Sequence, residues 1–263
     1  MELQVNGETV FAATGGRPFE PSDKAVILIH GAGMDRTVWA LRTRYLAHHG
    51  LSPLAIDLPG HGRSTGAPTR SIEDQAAWIL AFMDAAGLAK ARLVGHSMGA
   101  LSALQTAATV PDRINGLALL GIAEKMPVHP DLLAAAKAND HLAYELVVGW
   151  AFGDRGLVGG NLAPGLWMKG GSERLLERSA PGVLYTDLAM CNAYQGAAAA
   201  AAEVGCPTLL LGENDMMTPP RNARSLAEAI ADSRTDIIAG CGHMMMSEHP
   251  TCTTEALQAF LSA

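Results

Sequence analysis

The regular alternation of apolar runs with helical patterns is the feature that most constrains the fold of this chain. The segment 24–31, KAVILIHG, is a continuous apolar run that ends at a glycine, which is the pattern of a strand buried on both faces of a parallel sheet. Further strands are predicted at 51–57, 90–95, 114–123, 207–214 and 235–240, and helices at 36–48, 71–87, 98–109, 220–231 and 248–262. Alternation of this kind predicts βαβ units, and therefore an α/β fold in which helices flank a mostly parallel sheet.

Two parts of the chain depart from this alternation. Residues 2–14 are short alternating segments around an Asn-Gly dipeptide, which favours a type I′ turn and predicts a β-hairpin at the edge of the sheet. From 124 to 203 no buried strand pattern occurs in the sequence, and Gly, Ala, Trp and Met are frequent. We therefore predict a core domain of residues 1–123 and 204–263, with an inserted helical cap, or lid, at 124–203.

The charge and cysteine content exclude several classes of partner. A net charge of −7 with scattered lysines and arginines disfavours nucleic acid or an anionic membrane surface. The N-terminal sequence lacks the pattern of a signal peptide, and no apolar run approaches the length of a membrane span. The four cysteines do not have the sequence spacing of a zinc site or of a redox-active cysteine motif. They are Cys191, Cys206, Cys241 and Cys252. We expect a cytoplasmic protein with reduced thiols, no nucleic acid or membrane partner, and an oligomeric state, monomer or dimer, that the sequence leaves open.

The most informative motif is a serine held between two glycines, in the sequence GHSMG at 95–99. The pattern G-x-S-x-G between a strand and a helix is a nucleophile elbow, a sharp turn that presents the serine at the sheet edge. Gly95 and Gly99 remove side chains where the strand and the helix approach each other. The helix start also places backbone N–H groups and the positive end of the helix dipole beside Ser97. We predict that Ser97 is a nucleophile.

A serine hydroxyl needs a base, and in this arrangement the acid and the histidine follow the serine along the chain. Asp215 lies just beyond a predicted buried strand, and His243 lies in a glycine-rich loop after the last predicted strand. Glu213 and Glu124 are rival acids, because each is also near a strand end. The other downstream histidine, His249, precedes a proline at a predicted helix start, where a solvated or capping role is expected. The predicted catalytic residues are therefore the serine, Asp215 as the acid and His243 as the base.

Attack on a carbonyl also requires donors for the oxyanion that forms. The glycine-rich segment IHGAGMD at 29–35 follows the first long strand and allows backbone N–H groups to point into the site. We predict an oxyanion hole formed by the backbone N–H groups of Ala32 and Met98, the second of which follows the serine.

Five segments in this order resemble the α/β-hydrolase fold superfamily over almost the full length of the chain. They are HGAGMD, DLPGHGRS at 57–64, GHSMG, GENDMMTP and GCGHMM. The resemblance implies an eight-stranded, mostly parallel sheet with a helical cap after the sixth strand, and a turn that Asp57, His61 and Arg63 stabilise without a catalytic role. It also implies acyl transfer in two steps through an acyl-enzyme, with no metal and no organic cofactor.

Within that superfamily the sequence favours a serine hydrolase that acts on a small to medium carboxylic ester, as a small-molecule substrate. Haloalkane dehalogenases and epoxide hydrolases of this superfamily would have aspartate where this chain has Ser97. Carbon–carbon bond hydrolases often have tryptophan after the catalytic histidine and asparagine before the serine, where this chain has Met244 and His96. Hydrolysis of a carbon–carbon bond or a lactone, and a ligand sensor that retains the triad but turns over slowly, are the alternatives.

Large apolar side chains of the cap and of the acid and base loops are candidates for an apolar substrate pocket. We predict that the pocket includes Trp150, Trp167, Met217 and Met244.

Overall fold

The computed structural model describes residues 1–157, 167–205, 208–231 and 233–262, and within them one sheet of eight strands forms the centre of the molecule. The strands are β1 (Glu2–Val5), β2 (Glu8–Ala13), β3 (Ala25–Ile29), β4 (Ser52–Ile56), β5 (Ala91–His96), β6 (Ile114–Leu120), β7 (Thr208–Gly212) and β8 (Arg234–Ile238). Their order across the sheet is β1-β2-β4-β3-β5-β6-β7-β8. The pairs β1–β2 and β2–β4 are antiparallel and all the others are parallel. The predicted α/β fold with a mostly parallel sheet is confirmed.

Helices cover both faces of this sheet. The α-helices of the described residues are α1 (Ala40–His48), α2 (Ile72–Ala85), α3 (Met98–Thr109), α4 (Pro130–Ala138), α5 (Leu142–Ala151), α6 (Asp154–Leu157), α7 (Met168–Glu177), α8 (Val183–Ala193), α9 (Ala197–Ala202), α10 (Arg224–Ala229), α11 (Met245–Glu248) and α12 (Pro250–Leu261). Alternate residues of β3 belong to different hydrophobic clusters, since Ile27 and Ile29 pack with residues of α2 and α3, whereas Val26 and Leu28 pack with residues of α1 and α12. Both faces of β3 are therefore buried, which explains its continuous apolar run.

Local signals in the sequence fix two of the element boundaries. Asn6 and Gly7 have φ values of 52° and 84°, as a type I′ turn requires, and they join β1 to β2 at the sheet edge. Ser71 caps α2, because its side-chain oxygen accepts the backbone N–H of Asp74 at 3.0 Å and so satisfies a free N–H of the first turn.

The described part of the segment between β6 and β7 is helical and extends from α4 to α9. Residues 158–166 of the predicted cap lie outside the described residues. Side chains of α4, α5, α7 and the middle of α8 pack in the same hydrophobic cluster as β6. In contrast, α9 packs with α3 in the opposite cluster, so the final helix of the predicted cap lies against the core. The boundary of a separate cap at 203 stays a prediction.

Three cysteines carry free thiols, which are Cys191 and Cys241 in buried positions and Cys252 at the surface. Cys206 lies outside the described residues. None of the described helices has both the length and the apolar character that crossing a bilayer demands.

Candidate active site

Ser97 occupies a strained turn between β5 and α3. Its φ is +55° and its ψ is −117°, a conformation that non-glycine residues rarely adopt. A side chain at Gly95 would overlap the backbone of Gly99, and one at Gly99 would lie 2.5 Å from the carbonyl oxygen of Ile29. The two glycines thus allow α3 to begin directly against β5 and β3. This geometry is that of the predicted nucleophile elbow.

The carboxylate of Asp215 and the imidazole of His243 form a buried pair, with 2.7 Å between Oδ2 and Nδ1. Backbone N–H groups of Met217 and Thr218 donate to Oδ1 at 2.8 and 2.7 Å. The hydroxyl of Thr218 donates to Oδ2 at 2.6 Å. Burial alone raises the pKa of Asp215, but the adjacent His243 and these hydrogen bonds outweigh it and hold the pKa well below its ordinary value. The acid therefore remains ionised and orients the ring.

The contact with Asp215 also determines which nitrogen of His243 is available as a base. Because Nδ1–H donates to the carboxylate, Nε2 carries the free lone pair. Nε2 is buried and has no hydrogen-bond partner among the described residues. The cavity that contains Ser97 is also lined by His243, so the structure brings the predicted nucleophile and the predicted base to one site.

The rival acids have other partners in the structure. The side chain of Glu213 accepts the backbone N–H of Gly240 at 2.9 Å, and that of Glu124 accepts the hydroxyl of Ser225. His249 lies at the N-terminus of α12. Of the candidates considered from the sequence, only Asp215 pairs with His243 among the described contacts.

The predicted oxyanion donors lie on two sides of the serine. Ala32 lines the same cavity as Ser97, and a side chain at its neighbour Gly31 would lie 3.3 Å from the serine Cβ, so this loop runs directly against the nucleophile. Met98 is the first residue of α3, where backbone N–H groups have no partner within the helix. Neither N–H donates to another described residue. The geometry fits the predicted hole, and the role of these groups is a proposal taken up below.

The cavity beside Ser97 has a volume of about 280 Å³. Among the described residues, no Asp, Glu, Lys or Arg side chain lines it. Its apolar lining comes from the oxyanion segment, the cap and the acid loop: Ala32, Met34, Met126, Pro127, Val128, Leu132, Val147, Trp150, Ala151, Leu184, Leu188, Met216 and Met217. The described residues also contain no group of three or more His, Cys, Asp or Glu side chains placed to hold a metal ion.

Two of the four residues predicted for the pocket line the cavity beside Ser97, and the structure places the other two outside its lining. Trp150 and Met217 line the cavity with Ser97. Trp167 is 71% exposed and lines a separate surface depression. Met244 borders the same depression, although its side chain is buried among apolar groups that include α12. The chain turns into α11 just after His243, which directs Met244 away from the nucleophile.

His96, the residue before Ser97, contacts the backbone of His243, which was not predicted. Its Nε2–H donates to the backbone carbonyl of His243 at 3.0 Å, and the two rings lie with centroids 4.8 Å apart. Burial, followed by the proximity of His243, lowers the pKa of His96 to about 3, so the ring stays neutral. Thr218, three residues after Asp215, is the second residue that was missed. Its hydroxyl contact is a local side-chain pattern that sequence spacing alone does not distinguish from a solvated threonine.

Comparison with known proteins agrees with this geometry. The model of the alpha/beta hydrolase family matches residues 26–255. The (E)-2-((N-methylformamido)methylene)succinate hydrolase of Acinetobacter baylyi is 24% identical over 243 residues, which cover 90% of this chain and 89% of that protein. The pimeloyl-[acyl-carrier protein] methyl ester esterase of Serratia marcescens is 26% identical over 254 residues, which cover 92% and 95%. Among solved structures, a thermophilic esterase matches with a TM-score of 0.79 at 26% identity and covers 100% of this chain and 96% of its own.

Proposed function

The chain belongs to the alpha/beta hydrolase family, and from that premise we propose that this hydrolase uses Ser97 to cleave small to medium carboxylic esters whose acyl chain is apolar and carries no charge. The observation that supports the ester chemistry is the convergence of Ser97, the Asp215–His243 pair and the Ala32 loop on one cavity. A nucleophile, a base oriented by a carboxylate, and backbone donors are the groups that acyl transfer requires.

In the proposed mechanism, Ser97 Oγ attacks the ester carbonyl while His243 Nε2 takes its proton. Asp215 stabilises the imidazolium that forms, and the N–H groups of Ala32 and Met98 stabilise the oxyanion. Collapse of the tetrahedral intermediate expels the alcohol, which takes the proton from His243, and leaves an acyl-enzyme. Water then attacks with His243 as its base, and the acid is released as Ser97 regains its proton.

The lining of the cavity supports the choice of acid. Moving a carboxylate into an apolar cavity without a cation costs several kcal/mol, and no lysine or arginine among the described residues lines this one. Of the histidines that line it, His96 stays neutral because of its low pKa, His243 is paired with Asp215, and His129 is exposed and lies 3.7 Å from the carboxylate of Asp131. A dicarboxylate, such as the succinate named for the relative from Acinetobacter baylyi, would therefore find no buried, unpaired counter-charge among the described residues that line the cavity. An uncharged alkanoyl or branched acyl group fits the apolar side chains.

This choice is tested with two p-nitrophenyl esters of equal length, the hexanoate and the monoester of hexanedioic acid, in which a carboxylate replaces the terminal methyl group. We expect kcat/KM for the charged ester to be lower by roughly 100-fold or more, because the carboxylate must be desolvated without a partner. A series from acetate to decanoate, measured alongside, locates the acyl length that fills the cavity. Equal kcat/KM for the two esters would contradict a pocket for uncharged acids.

Two alternatives give different results in the same assay. A lactone is an internal ester, so lactone hydrolysis would appear as turnover of uncharged lactones with little activity on open esters. A ligand sensor would release less than one equivalent of p-nitrophenol over many minutes, whereas an esterase cycles. The lack of a lysine or arginine among the described residues that line the cavity disfavours carbon–carbon cleavage of any substrate that bears a carboxylate.

A further inference from the structure

A second buried polar cluster lies behind the oxyanion loop, defined as residues 29–35, and involves none of the triad residues. At its centre is Asp187 of α8, which is fully buried. One of its oxygens, Oδ2, accepts the backbone N–H of Gly33 at 2.8 Å and also Nε2–H of His61 at 2.8 Å. A single carboxylate oxygen thus connects the oxyanion loop, the turn after β4 and a helix of the predicted cap.

The protonation of His61 follows from its two contacts. Its Nδ1 faces the carbonyl oxygen of Pro59 at 2.9 Å and its Nε2 faces the Asp187 carboxylate. Both partners are acceptors, so both nitrogens donate and the ring is an imidazolium. Burial alone lowers the pKa of His61, but the charge of Asp187 and its hydrogen bond raise it above its ordinary value. Asp187 and His61 therefore form a buried ion pair.

Packing independently shows that the oxyanion loop lies directly against α8. Gly33 has a φ of +66°, and a side chain there would lie 2.8 Å from Cδ1 of Leu184 on α8. It would also lie 3.1 Å from Leu176 of α7. Only glycine allows the backbone to adopt this φ and approach the helix so closely. The hydrogen bond from Gly33 to Asp187 thus adds to a close packing contact between the oxyanion loop and α8.

Burying the ion pair between these segments has a free-energy cost. The second carboxylate oxygen of Asp187, Oδ1, is buried and has no hydrogen-bond partner among the described residues. A buried charge that is only partly satisfied costs free energy, and well-packed apolar groups often replace buried ion pairs without loss of stability. Stability alone is therefore a poor explanation for the pair. Gly33, whose N–H binds Asp187, directly follows Ala32 in the loop. This position suggests a role for the pair in catalysis.

We propose that Asp187 is a positioning residue that holds the oxyanion loop, through the N–H of Gly33, so that the N–H of Ala32 faces the oxyanion. The Gly31–Ala32–Gly33 backbone is fixed at both ends, because Gly31 O accepts the N–H of Met34 at 3.2 Å and a hydrogen bond from His30 Nδ1 at 2.9 Å, while Gly33 N–H is held by Asp187. This role depends on the proposed function, since it assumes that an oxyanion forms beside Ala32. It makes loop geometry depend on α8, a helix of the predicted cap.

The test compares Asp187→Ala, which removes the acceptor, with Asp187→Asn, which keeps one acceptor oxygen without the charge. The matched control is Thr186→Ala, because Thr186 is the neighbouring residue on α8 and, among the described residues, its hydroxyl bonds only to Gly182 O at the start of the same helix. For each variant, kcat and KM are measured with the preferred ester, together with the affinity for an alkyl boronic acid, whose serine adduct is a tetrahedral anion. Binding of the corresponding unreactive amide reports affinity for the ground state.

For Asp187→Ala we expect kcat to fall roughly 10- to 100-fold with KM changed by less than about threefold, because loss of oxyanion geometry acts on the transition state. Boronic acid affinity should fall in parallel and amide affinity should not. Asp187→Asn should recover a large part of kcat, and Thr186→Ala should resemble the wild type. Equal kcat for Asp187→Ala and Thr186→Ala would overturn the proposal, and so would Asn performing no better than Ala.

Hydrogen–deuterium exchange of the peptide containing 29–35 provides a measurement that does not depend on turnover. Faster exchange there in Asp187→Ala than in Thr186→Ala is expected, and unchanged exchange would overturn the proposal. If the wild-type protein cleaves no ester, the proposed function fails, and the exchange comparison still decides whether Asp187 fixes the loop.

Discussion

His96 illustrates how a single residue inside the nucleophile motif can serve the base. It donates to the carbonyl of His243 while its ring remains neutral in a fully buried position. A histidine whose folded pKa lies below its unfolded value takes up protons on unfolding, so it reduces stability as the pH falls below about 6.5. His30, in the oxyanion loop, has a pKa lowered to about 3 by burial and by the nearby His61, so it acts in the same direction.

We predict that His96→Gln makes the protein less sensitive to acid. Glutamine can still donate to the carbonyl of His243 but does not titrate. Between pH 7 and pH 5 the wild type should lose about 2 kcal/mol more of its unfolding free energy than His96→Gln. Urea denaturation at the two pH values measures this difference, and His48→Gln, at an exposed position, is the control that should follow the wild type. Parallel losses in wild type and His96→Gln would show that His96 is protonated in the folded state.

At the scale of elements, the loop that carries His243 depends on the end of α5. The backbone N–H groups of His243 and Met244 both donate to the carbonyl of Ala151, at 2.7 and 3.1 Å. Glu248 of α11 joins the same two segments, because its carboxylate accepts the N–H of Gly153 and that of Gly242, each at 2.9 Å. Burial raises the pKa of Glu248 above its ordinary value. The position of the base is thus set by a helix far away in the sequence.

Glu248→Gln should therefore impair catalysis rather than substrate binding. An amide can accept only one of the two N–H groups and turns its own NH₂ towards the other, which displaces the loop. We expect kcat to fall roughly 10-fold with little change in KM, because small displacements of a catalytic group are costly. Steady-state kinetics with the preferred ester measure the effect, and Glu255→Gln, exposed on α12, should leave kcat unchanged. An unaltered kcat in Glu248→Gln would mean that the contacts to Ala151 and His96 fix the loop without Glu248.

At the scale of the whole molecule, the sequence predicted the residues that follow strand ends. It missed the contacts that form when segments distant in the sequence pack together. The placement of Ser97, Asp215 and His243 at one edge of the sheet was predictable because each follows a strand of its parallel part, and parallel strands bring such ends to one edge of the sheet. Trp167 and Met244 were assigned to the pocket because they are large, apolar and near the cap or the base. The directions of these two side chains place them outside the cavity that contains Ser97. No periodicity in the sequence predicts those directions.

The contacts of Asp187 show the same limit more clearly. It lies in a helix whose sequence has no motif, and its partners Gly33 and His61 are 154 and 126 residues away. His61 was expected to stabilise the turn after β4, and the structure adds a contact between its Nε2 and the Asp187 carboxylate on α8. Only tertiary structure brings these residues together.

The central claim is that Ser97 forms the acyl-enzyme, and its most direct test is the identification of the residue that a fluorophosphonate modifies. Mass spectrometry of the labelled and digested protein should find a single adduct, on Ser97. Ser97→Ala should take up no label and lose ester hydrolysis by at least about 10³-fold, because the nucleophile is removed while the fold is kept. Thermal unfolding confirms that the variant is folded. Full activity in Ser97→Ala, or an adduct on another residue, would contradict the account.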